Sequence, residues 1–408
     1  MTSRARLAVA GIGIAVGAVI APAVSPAAFA APTDEQHQSQ QVRFAQFNAS
    51  LNRAAEGQLV ADLQTGTNEQ AQNVAETIQR ANPDVVLINE FDYVEGGTAA
   101  ELFRDNYLAV GQGGASPVDY PYYFVAPVNT GVPSGFDLDN SGTVGGGNDA
   151  YGFGEFPGQY GMVIYSKYPI QTDEVRTFGN FLWKDMPGNR MPLDFYSSDE
   201  QQALRLSSKS HWDVPIEIGK KTVHLLASHP TPPVFDGPED RNGLRNADEI
   251  RFWEDYVGSA AKSTYIYDDA GENGGLKPGT PFVIAGDLNS DPNDGDSIHS
   301  AIQDLLGSPR VDSSVTPSSQ GAIEASATQG GVNFQHQSPA AYDTADFSEP
   351  PGNIRADYVL PSKGLKIEDS RVFWPTSADP LARLTGSYPF PTSDHRLVWV
   401  DVKVPGNK

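Results

Sequence analysis

Short apolar runs recur along the chain, and each begins or ends near a polar residue that can bind a metal or move a proton. The most informative run lies in residues 281–290, where the apolar positions 282–285 predict a buried strand. Asp287 and Asn289 follow this run. Because residues two apart on an extended chain point to the same side, a carboxylate and an amide should project together from the strand end. By itself, the segment fits a strand that ends in an Asx-turn equally well.

Six further segments repeat this arrangement. They predict strands at residues 42–48, 84–90, 160–170, 224–229, 355–360 and 393–400. The polar residues at or near the ends of these strands are Asn48, Glu90, Lys167, His229, Asp357, Asp394 and His395. Helical spacing of apolar residues predicts two helices, over residues 68–82 and residues 245–257.

The Gly-Asp-Leu-Asn run of residues 286–289 and the Ser-Asp-His run of residues 393–395 complete a pattern with the other strand ends. In this order they resemble the endonuclease/exonuclease/phosphatase superfamily, and the resemblance extends over residues 42–404. It implies a DNase I-like α/β (α+β) fold, in which a two-layer β-sandwich is flanked by helices. We interpret residues 42–404 as a single catalytic domain with long insertions, which cover residues 92–159, 171–203 and 312–351.

The resemblance also implies a role for each polar residue. The catalytic residues would be His229, Asp287, Asn289, Asp357 and His395. Asn48, Glu90 and Asp394 would hold a divalent cation, which is Mg²⁺ or else Mn²⁺ or Ca²⁺, because these ions prefer oxygen ligands. Asp287 would orient the attacking water, and Asp357 would fix the tautomer of the neighbouring histidine. The expected activity is hydrolysis of a phosphodiester or phosphomonoester by in-line attack of water.

A cationic segment at residues 205–211 contains candidate substrate-binding residues. Arg205, Lys209 and His211 stand close together there, among three serines. They could bind a second phosphate or the leaving group. An ordinary amphipathic strand explains the same residues equally well.

The first insertion contains the opening of a calcium-binding loop. Its oxygen-bearing side chains are Asp137, Asp139, Ser141 and Thr143. Gly142 stands at the sixth position of the loop, as calcium loops require, but Asn148 replaces the glutamate expected at the twelfth, and Asp149 follows. We predict a structural Ca²⁺ loop outside a helix–loop–helix hand. The alternative is a glycine-rich turn.

The N-terminal residues predict export from the cell. Residues 1–30 combine two arginines, a short apolar stretch and a small-x-small cleavage site, which is the pattern of a signal peptide. Residues 31–41 are polar and predict a disordered leader. No segment is apolar over the length of a transmembrane helix. The chain contains no cysteine, which excludes disulfides and thiolate chemistry.

The charge of the chain bears on its substrate. A formal net charge of −23 repels polyanions, and the basic stripe typical of nucleic-acid-binding proteins is missing. We therefore expect a small or otherwise non-nucleic phosphoester, with an extracellular nuclease as the first alternative. A sphingomyelinase-like enzyme is another alternative, but it would need an exposed aromatic hairpin, for which residues 120–124 are weak candidates. The alternative of a different class is a catalytically idle secreted binding protein on the same fold.

Overall fold

The structure is a computed structural model that describes residues 39–406. The predicted signal peptide, residues 1–30, lies outside the described residues, and so do residues 31–38 of the predicted leader. Between residues 39 and 406, no helix combines the length and the apolar character that crossing a membrane requires.

Six strands form the first sheet. They are β1 (Gln40–Leu51), β2 (Val85–Phe91), β3 (Tyr122–Phe124), β4 (Met162–Ser166), β12 (Lys366–Val372) and β13 (Val398–Val404). Their order across the sheet is β12, β13, β1, β2, β4, β3, with β1 and β2 parallel and the other neighbours antiparallel. Strand β1 begins two residues before the predicted strand start at residue 42, because Gln40 and Gln41, the last two residues of the predicted leader, pair with Val404 and Lys403 of β13.

Five strands form the second sheet. They are β5 (Arg176–Thr177), β6 (His211–Ile218), β7 (Lys221–Ser228), β8 (Phe282–Asp287) and β11 (Asp357–Pro361). Their order is β11, β8, β7, β6, β5, and β7 and β8 are the parallel pair. The short strands β9 (Ala345–Asp346) and β10 (Asn353–Ile354) form a separate ribbon.

Helices flank the two sheets. In the described residues they are α1 (Gln58–Leu63), α2 (Glu69–Ala81), α3 (Thr98–Phe103), α4 (Ser198–Ala203), α5 (Arg241–Val257), α6 (Ala260–Ser263), α7 (His299–Gly307), α8 (Gln320–Gln329) and α9 (Ala382–Thr385). Helix α2 matches its prediction closely, because the Asn68 side chain accepts a hydrogen bond from Ala71 N–H and Asn82 ends the helix in a left-handed conformation. Helix α5 begins four residues before its predicted start, since its first turn contains Gly243 and has no apolar periodicity.

Three apolar cores hold these layers together. The central core lies between the sheets, where Phe44 and Leu87 of the first sheet pack with Leu225 and Val283 of the second. One outer core joins α2 to the first sheet, and the other joins α5 to the second sheet. The central strands are therefore buried on both faces, which explains their continuous apolar runs. The predicted α/β sandwich with flanking helices is confirmed.

Two predicted segments differ from the structure in detail. The strand predicted over residues 393–400 becomes regular only at Val398, so Asp394 and His395 lie in the segment that precedes β13. The insertion predicted at residues 312–351, for which the sequence indicated no helix, contains the ten-residue helix α8. This helix was hidden in the sequence because it is rich in Ala, Ser and Gln and has little apolar periodicity.

Candidate active site

The strand registers bring the predicted polar residues to one edge of the sandwich. In the first sheet, Asn48 of β1 lies opposite Asn89 of β2, the residue before Glu90. In the second sheet, Asp287 of β8 lies opposite Asp357 of β11. The structure brings together all eight residues predicted as catalytic or metal-binding, which are Asn48, Glu90, His229, Asp287, Asn289, Asp357, Asp394 and His395.

Asp287 stands at the centre of this group. Its Oδ2 accepts a hydrogen bond of 3.0 Å from Asn48 Nδ2, and it lies 3.4 Å from His229 Nε2 and 3.5 Å from His395 Nε2. The carboxyl is buried, and burial alone would raise its pKa, but His395 and His229 outweigh burial and hold the pKa well below its ordinary value. Asp287 is therefore an ionised carboxylate, which can accept a hydrogen bond from a bound water.

His395 is held by a carboxylate on the other side of its ring. Its Nδ1 lies 2.9 Å from Asp357 Oδ2, and the same oxygen accepts a 2.7 Å hydrogen bond from Thr344 Oγ1. Burial works against the imidazolium, but the charges of Asp357 and Asp287 prevail and raise the pKa of His395 well above its ordinary value. His395 is therefore a cation at neutral pH, with Nε2–H directed toward the centre of the site.

His229 has the opposite protonation state. Burial lowers the pKa of His229 to about 4, and the charge of Lys209 adds to the decrease. Within the described residues, its buried Nδ1 has no hydrogen-bond partner. The sequence did not identify a carboxylate that orients His229, and none contacts Nδ1 in the described part of the chain. The site thus contains one neutral and one charged histidine on either side of Asp287.

Asn289 closes the site on the β8 side. Its Nδ2 donates a 3.1 Å hydrogen bond to the Pro230 carbonyl, and its N–H donates to Asp287 Oδ1 at 2.9 Å. Asn289 has a φ of 52° and Glu90 a φ of 58°. This left-handed conformation is unfavourable for residues other than glycine, and such strain is typically concentrated at functional sites.

The donor set at Glu90 fits a divalent cation. Burial raises the pKa of Glu90, and the nearby charges of Asp394 and Asp287 raise it further. Four carboxylates, those of Glu90, Asp287, Asp357 and Asp394, lie close to one charged histidine. A bound cation would relieve this excess of negative charge. Asn48 Nδ2 lies 3.1 Å from Glu90 Oε1, and rotation of the amide by about 180° would present its oxygen instead.

A second group of potential ligands overlaps the first. Asp287, Asp357 and His395 each offer a ligand atom, and these atoms lie within 4.8 Å of one another. The Asp357–His395 contact accounts for two of the three residues, and an imidazolium has no lone pair to give to a metal. The oxygen donors Glu90, Asn48 and Asp394 therefore suit a hard cation better.

A large cleft opens over the site. It has a volume of about 1490 Å³ and reaches Glu90, His229, Asp287, Asn289 and His395. Eight carboxylates line it, those of Glu90, Asp287, Asp291, Asp294, Asp296, Glu324, Asp346 and Asp394. None of the described residues that line the cleft is Lys or Arg, and of these carboxylates only Asp346 pairs with an arginine there. The cleft is therefore acidic. Phe235 and Tyr388, each 87% exposed, line it as well.

The predicted substrate-binding segment lies outside this cleft, because none of residues 205–211 lines it. His211 is buried under α5, with Nδ1 2.6 Å from Ser207 Oγ and Nε2 2.9 Å from Glu249 O. The prediction that His211 binds substrate is therefore wrong, because its side chain belongs to the apolar core. Arg205 also faces away from the cleft lining: it donates to Asn129 Oδ1 at 2.6 Å and stacks on Tyr151. Lys209 is buried near the site, where its charge acts on His229.

The predicted calcium loop brings three carboxylates together. The oxygens of Asp137, Asp139 and Asp149 lie within 4.8 Å of one another. Ser141 and Thr143, the other predicted ligands, take part in the turn: Ser141 N–H donates to Asp137 Oδ1 at 2.9 Å, and Ser141 Oγ donates to Thr143 O at 3.2 Å. Asp149, which follows the twelfth position, thus supplies the carboxylate that Asn148 lacks. Calcium binding by this loop stays a prediction.

Two supporting residues have no signal in the sequence. Asn89 Oδ1 accepts a 3.1 Å hydrogen bond from Asp287 N–H and a 2.9 Å hydrogen bond from Gln46 Nε2. Asn89 therefore fixes the end of β8 from the first sheet. Thr344 supports Asp357, but it lies in an insertion and only the fold brings it there. An asparagine in a strand and a threonine in a loop are both ordinary, so the sequence alone could not single out Asn89 or Thr344.

The sequence matches one known protein family. The model of the endonuclease/exonuclease/phosphatase family matches residues 45–395. The chain therefore belongs to that family, a class of metal-dependent phosphoester hydrolases. No curated protein matches the chain.

Solved structures resemble the chain at low sequence identity. An endonuclease/exonuclease/phosphatase from Beutenbergia cavernae is 18% identical, with a TM-score of 0.48 over 90% of this chain and 72% of that one. Sphingomyelinase C from Streptomyces griseocarneus is 15% identical, with a TM-score of 0.46 over 89% and 99% of the two chains. A beta toxin variant from Staphylococcus aureus, with bound magnesium ions, is 17% identical, with a TM-score of 0.44 over 88% and 99%.

Proposed function

We propose that this chain is an exported hydrolase that uses a divalent cation to cleave a phosphodiester or phosphomonoester with water. The observation that carries the proposal is the array centred on Asp287, which contacts a neutral His229, a charged His395 and the amide of Asn48. Export rests on the signal-peptide pattern of residues 1–30.

The residues of the array divide the work of hydrolysis. The Asp287 carboxylate accepts a hydrogen bond from the attacking water and orients it toward phosphorus. Asn289 and His229 contact the phosphoryl oxygens. His395, fixed by Asp357, donates from Nε2 to the phosphate or gives its proton to the leaving oxygen as the bond from phosphorus to that oxygen breaks.

The cation has a separate task. Glu90, Asn48 and Asp394 would hold Mg²⁺, Mn²⁺ or Ca²⁺ at the edge of the array. A cation bound there would offset the negative charge of the phosphoryl oxygens. The magnesium in the related beta toxin is consistent with Mg²⁺ as the ion.

The acidic cleft supports a substrate other than nucleic acid. Eight carboxylates line the cleft, with no Lys or Arg among its described lining residues, so it would repel a long polyanion. A small or otherwise non-nucleic phosphoester brings one phosphate, which the cation and the two histidines can accommodate. Among water-soluble substrates, nucleic acid therefore ranks second, and an extracellular nuclease is the corresponding alternative function.

One observation favours a lipid substrate as a second candidate. Phe235 and Tyr388 are both 87% exposed at the cleft, as expected for side chains that enter a lipid surface. The predicted aromatic segment, residues 120–124, fits that role less well, because Tyr120 is fully buried and Tyr122 is 38% exposed. The exposed aromatic residues thus lie elsewhere in the chain than the sequence indicated.

A substrate panel tests the proposal. Protein lacking residues 1–30 is assayed with Mg²⁺, Mn²⁺ and Ca²⁺ against bis-p-nitrophenyl phosphate, p-nitrophenyl phosphate, phospholipid vesicles and plasmid DNA. We expect metal-dependent turnover of the small esters or the vesicles, and weak DNA cleavage with little salt dependence. Efficient DNA cleavage that falls steeply with salt would make nuclease the leading function. No turnover of any phosphoester would reject the proposal.

A further inference from the structure

Arg396 follows the catalytic histidine directly, yet its side chain is buried behind the wall of the cleft and does not line it. It is 1% exposed and lies between two rings, with Cζ 4.3 Å from the centroid of Trp374 and 5.3 Å from that of Phe390. Burial lowers the pKa of Arg396 to about 10, so the side chain stays charged at neutral pH. A buried charge is costly unless it is paired, so its contacts identify what it is there to hold.

The guanidinium binds both sides of the segment that carries His395. Its Nη1 donates to the carbonyls of Ser393, at 2.7 Å, and His395, at 3.1 Å. Its Nη2 donates to Asp346 Oδ2 at 3.2 Å. A single planar fork therefore fixes the turn that contains Asp394 and His395 and joins it to a second segment.

That second segment forms the opposite wall of the His395 pocket. Residues 344–346 pair with residues 394–396: Asp346 N–H donates to Asp394 O and Arg396 N–H to Thr344 O, each at 2.8 Å. The next residue, Phe347, places its ring 5.1 Å from the His395 ring, nearly perpendicular to it. Loss of the guanidinium hydrogen bonds of Arg396 would therefore loosen both chain segments that surround the His395 imidazole.

We propose that Arg396 is a positioning residue for the hydrolysis reaction. Its side chain holds the turn that contains His395 against the Asp346–Phe347 segment. The inference rests on the proposed function, and it assigns to Arg396 a role through His395 with no contact to substrate. Its loss should displace His395 relative to Asp357 and Asp287, whereas Asp287 and Asn289 keep their own hydrogen bonds, to Asn89 and to the Pro230 carbonyl. Turnover should then fall with little change in apparent substrate affinity.

Two variants test the proposal with bis-p-nitrophenyl phosphate in saturating Mg²⁺. Arg396→Met keeps the packing between the rings and removes all three donated hydrogen bonds. We expect kcat to fall by about a hundredfold, the scale of a lost general acid, with KM within about threefold of wild type. Arg396→Lys keeps the charge but lacks the fork, so its kcat should be intermediate.

Arg355→Met is the matched control, because Arg355 is also buried and also stacks on a ring, that of Tyr358 at 4.2 Å. It should lose thermal stability and keep kcat within about threefold. A folded Arg396→Met with wild-type kcat overturns the proposal. If Arg396→Met does not fold, Arg396→Lys decides: wild-type kcat in that variant overturns the proposal as well.

Hydrogen–deuterium exchange separates this inference from the proposed function. If wild type hydrolyses no ester, the proposed function fails, and exchange still reports on Arg396. We expect faster exchange at residues 344–347 and 393–397 in Arg396→Met than in wild type or Arg355→Met. Equal exchange in all three proteins overturns the positioning role.

Discussion

Asp357 holds His395 in one orientation, with Oδ2 2.9 Å from Nδ1 of the imidazole. The strand register makes this contact, because Asp357 begins β11 opposite Asp287 at the end of β8. His395 reaches the same place from the segment before β13, in the other sheet. The pair therefore joins the two sheets at the site and keeps His395 charged.

Removal of this pair should slow the reaction without unfolding the protein. His395→Ala should lower kcat by about a hundredfold or more, the usual scale for a general acid–base group. Asp357→Asn should have a smaller effect in the same direction, because the amide can orient the ring but cannot stabilise the imidazolium. Steady-state kinetics with circular dichroism checks both. Asp304→Asn, an exposed carboxylate outside the cleft, is the control, and a wild-type rate in His395→Ala would remove that residue from the mechanism.

The metal proposal predicts a defined response to chelation. Activity should disappear in excess chelator and return when Mg²⁺ is added back. Glu90→Gln should raise the Mg²⁺ concentration for half-maximal activity by at least about tenfold. Mutation of residues that only support a metal ligand commonly weakens metal binding by that much, so loss of a ligand should do so as well. Glu95→Gln, which removes an exposed carboxylate near the same strand, should not change it. Full activity of metal-free protein in chelator would contradict the proposal.

The calcium loop makes a separate prediction about stability. If the loop binds Ca²⁺, saturating Ca²⁺ should raise the melting temperature, because a ligand of the native state stabilises it by mass action. The double variant Asp137→Ala, Asp139→Ala should lose this increment and retain the metal dependence of catalysis. Differential scanning fluorimetry measures the Ca²⁺-induced shift in melting temperature of both proteins. An equal Ca²⁺-induced shift in both proteins would place the ion elsewhere.

Asp343 should make stability depend on pH. Burial raises the pKa of Asp343 to about 8, with the charges of Asp291 and Asp294 adding to the effect, whereas an unfolded aspartate has a pKa of about 3.9. The native state therefore binds more protons between these values, and the free energy of unfolding should fall as pH rises from about 4 to about 8. The slope from this group is at most about 1.4 kcal/mol per pH unit.

Asp343→Asn isolates this contribution. It keeps an oxygen that can accept from Ser326 Oγ, at 2.7 Å in the wild type, and it cannot ionise. Its loss of stability between about pH 5 and about pH 8, measured by chemical denaturation, should be smaller than that of the wild type. Identical pH dependence in the two proteins would show that Asp343 ionises normally in the native state.

The sequence predicted the central strands and the residues at their ends because these strands are buried on both faces. Their apolar runs stop where the chain reaches the edge of the sheet, so Asp287 and His229 were visible as polar residues after such runs. Asp394 and His395 were found through their motif, although the regular strand begins only at Val398.

Residues whose role depends on contacts between distant segments could not be found in this way. His211 and Lys209 are two residues apart, yet His211 enters the core under α5 and Lys209 lies near the site. Thr344 and Arg396 lie in segments that the fold alone brings together. Polar residues clustered in the sequence therefore predicted site residues correctly only where the end of a strand fixed the direction of the side chain.

The central claim is that Asp287 orients the water that attacks a metal-assisted phosphoester. The most direct test compares the kcat of wild type and Asp287→Asn on bis-p-nitrophenyl phosphate, with saturating Mg²⁺ and with chelator. We predict Mg²⁺-dependent hydrolysis by wild type and at least about a hundredfold lower kcat in the folded variant. Equal rates in the two proteins, or wild-type hydrolysis that persists unchanged in chelator, would contradict the account.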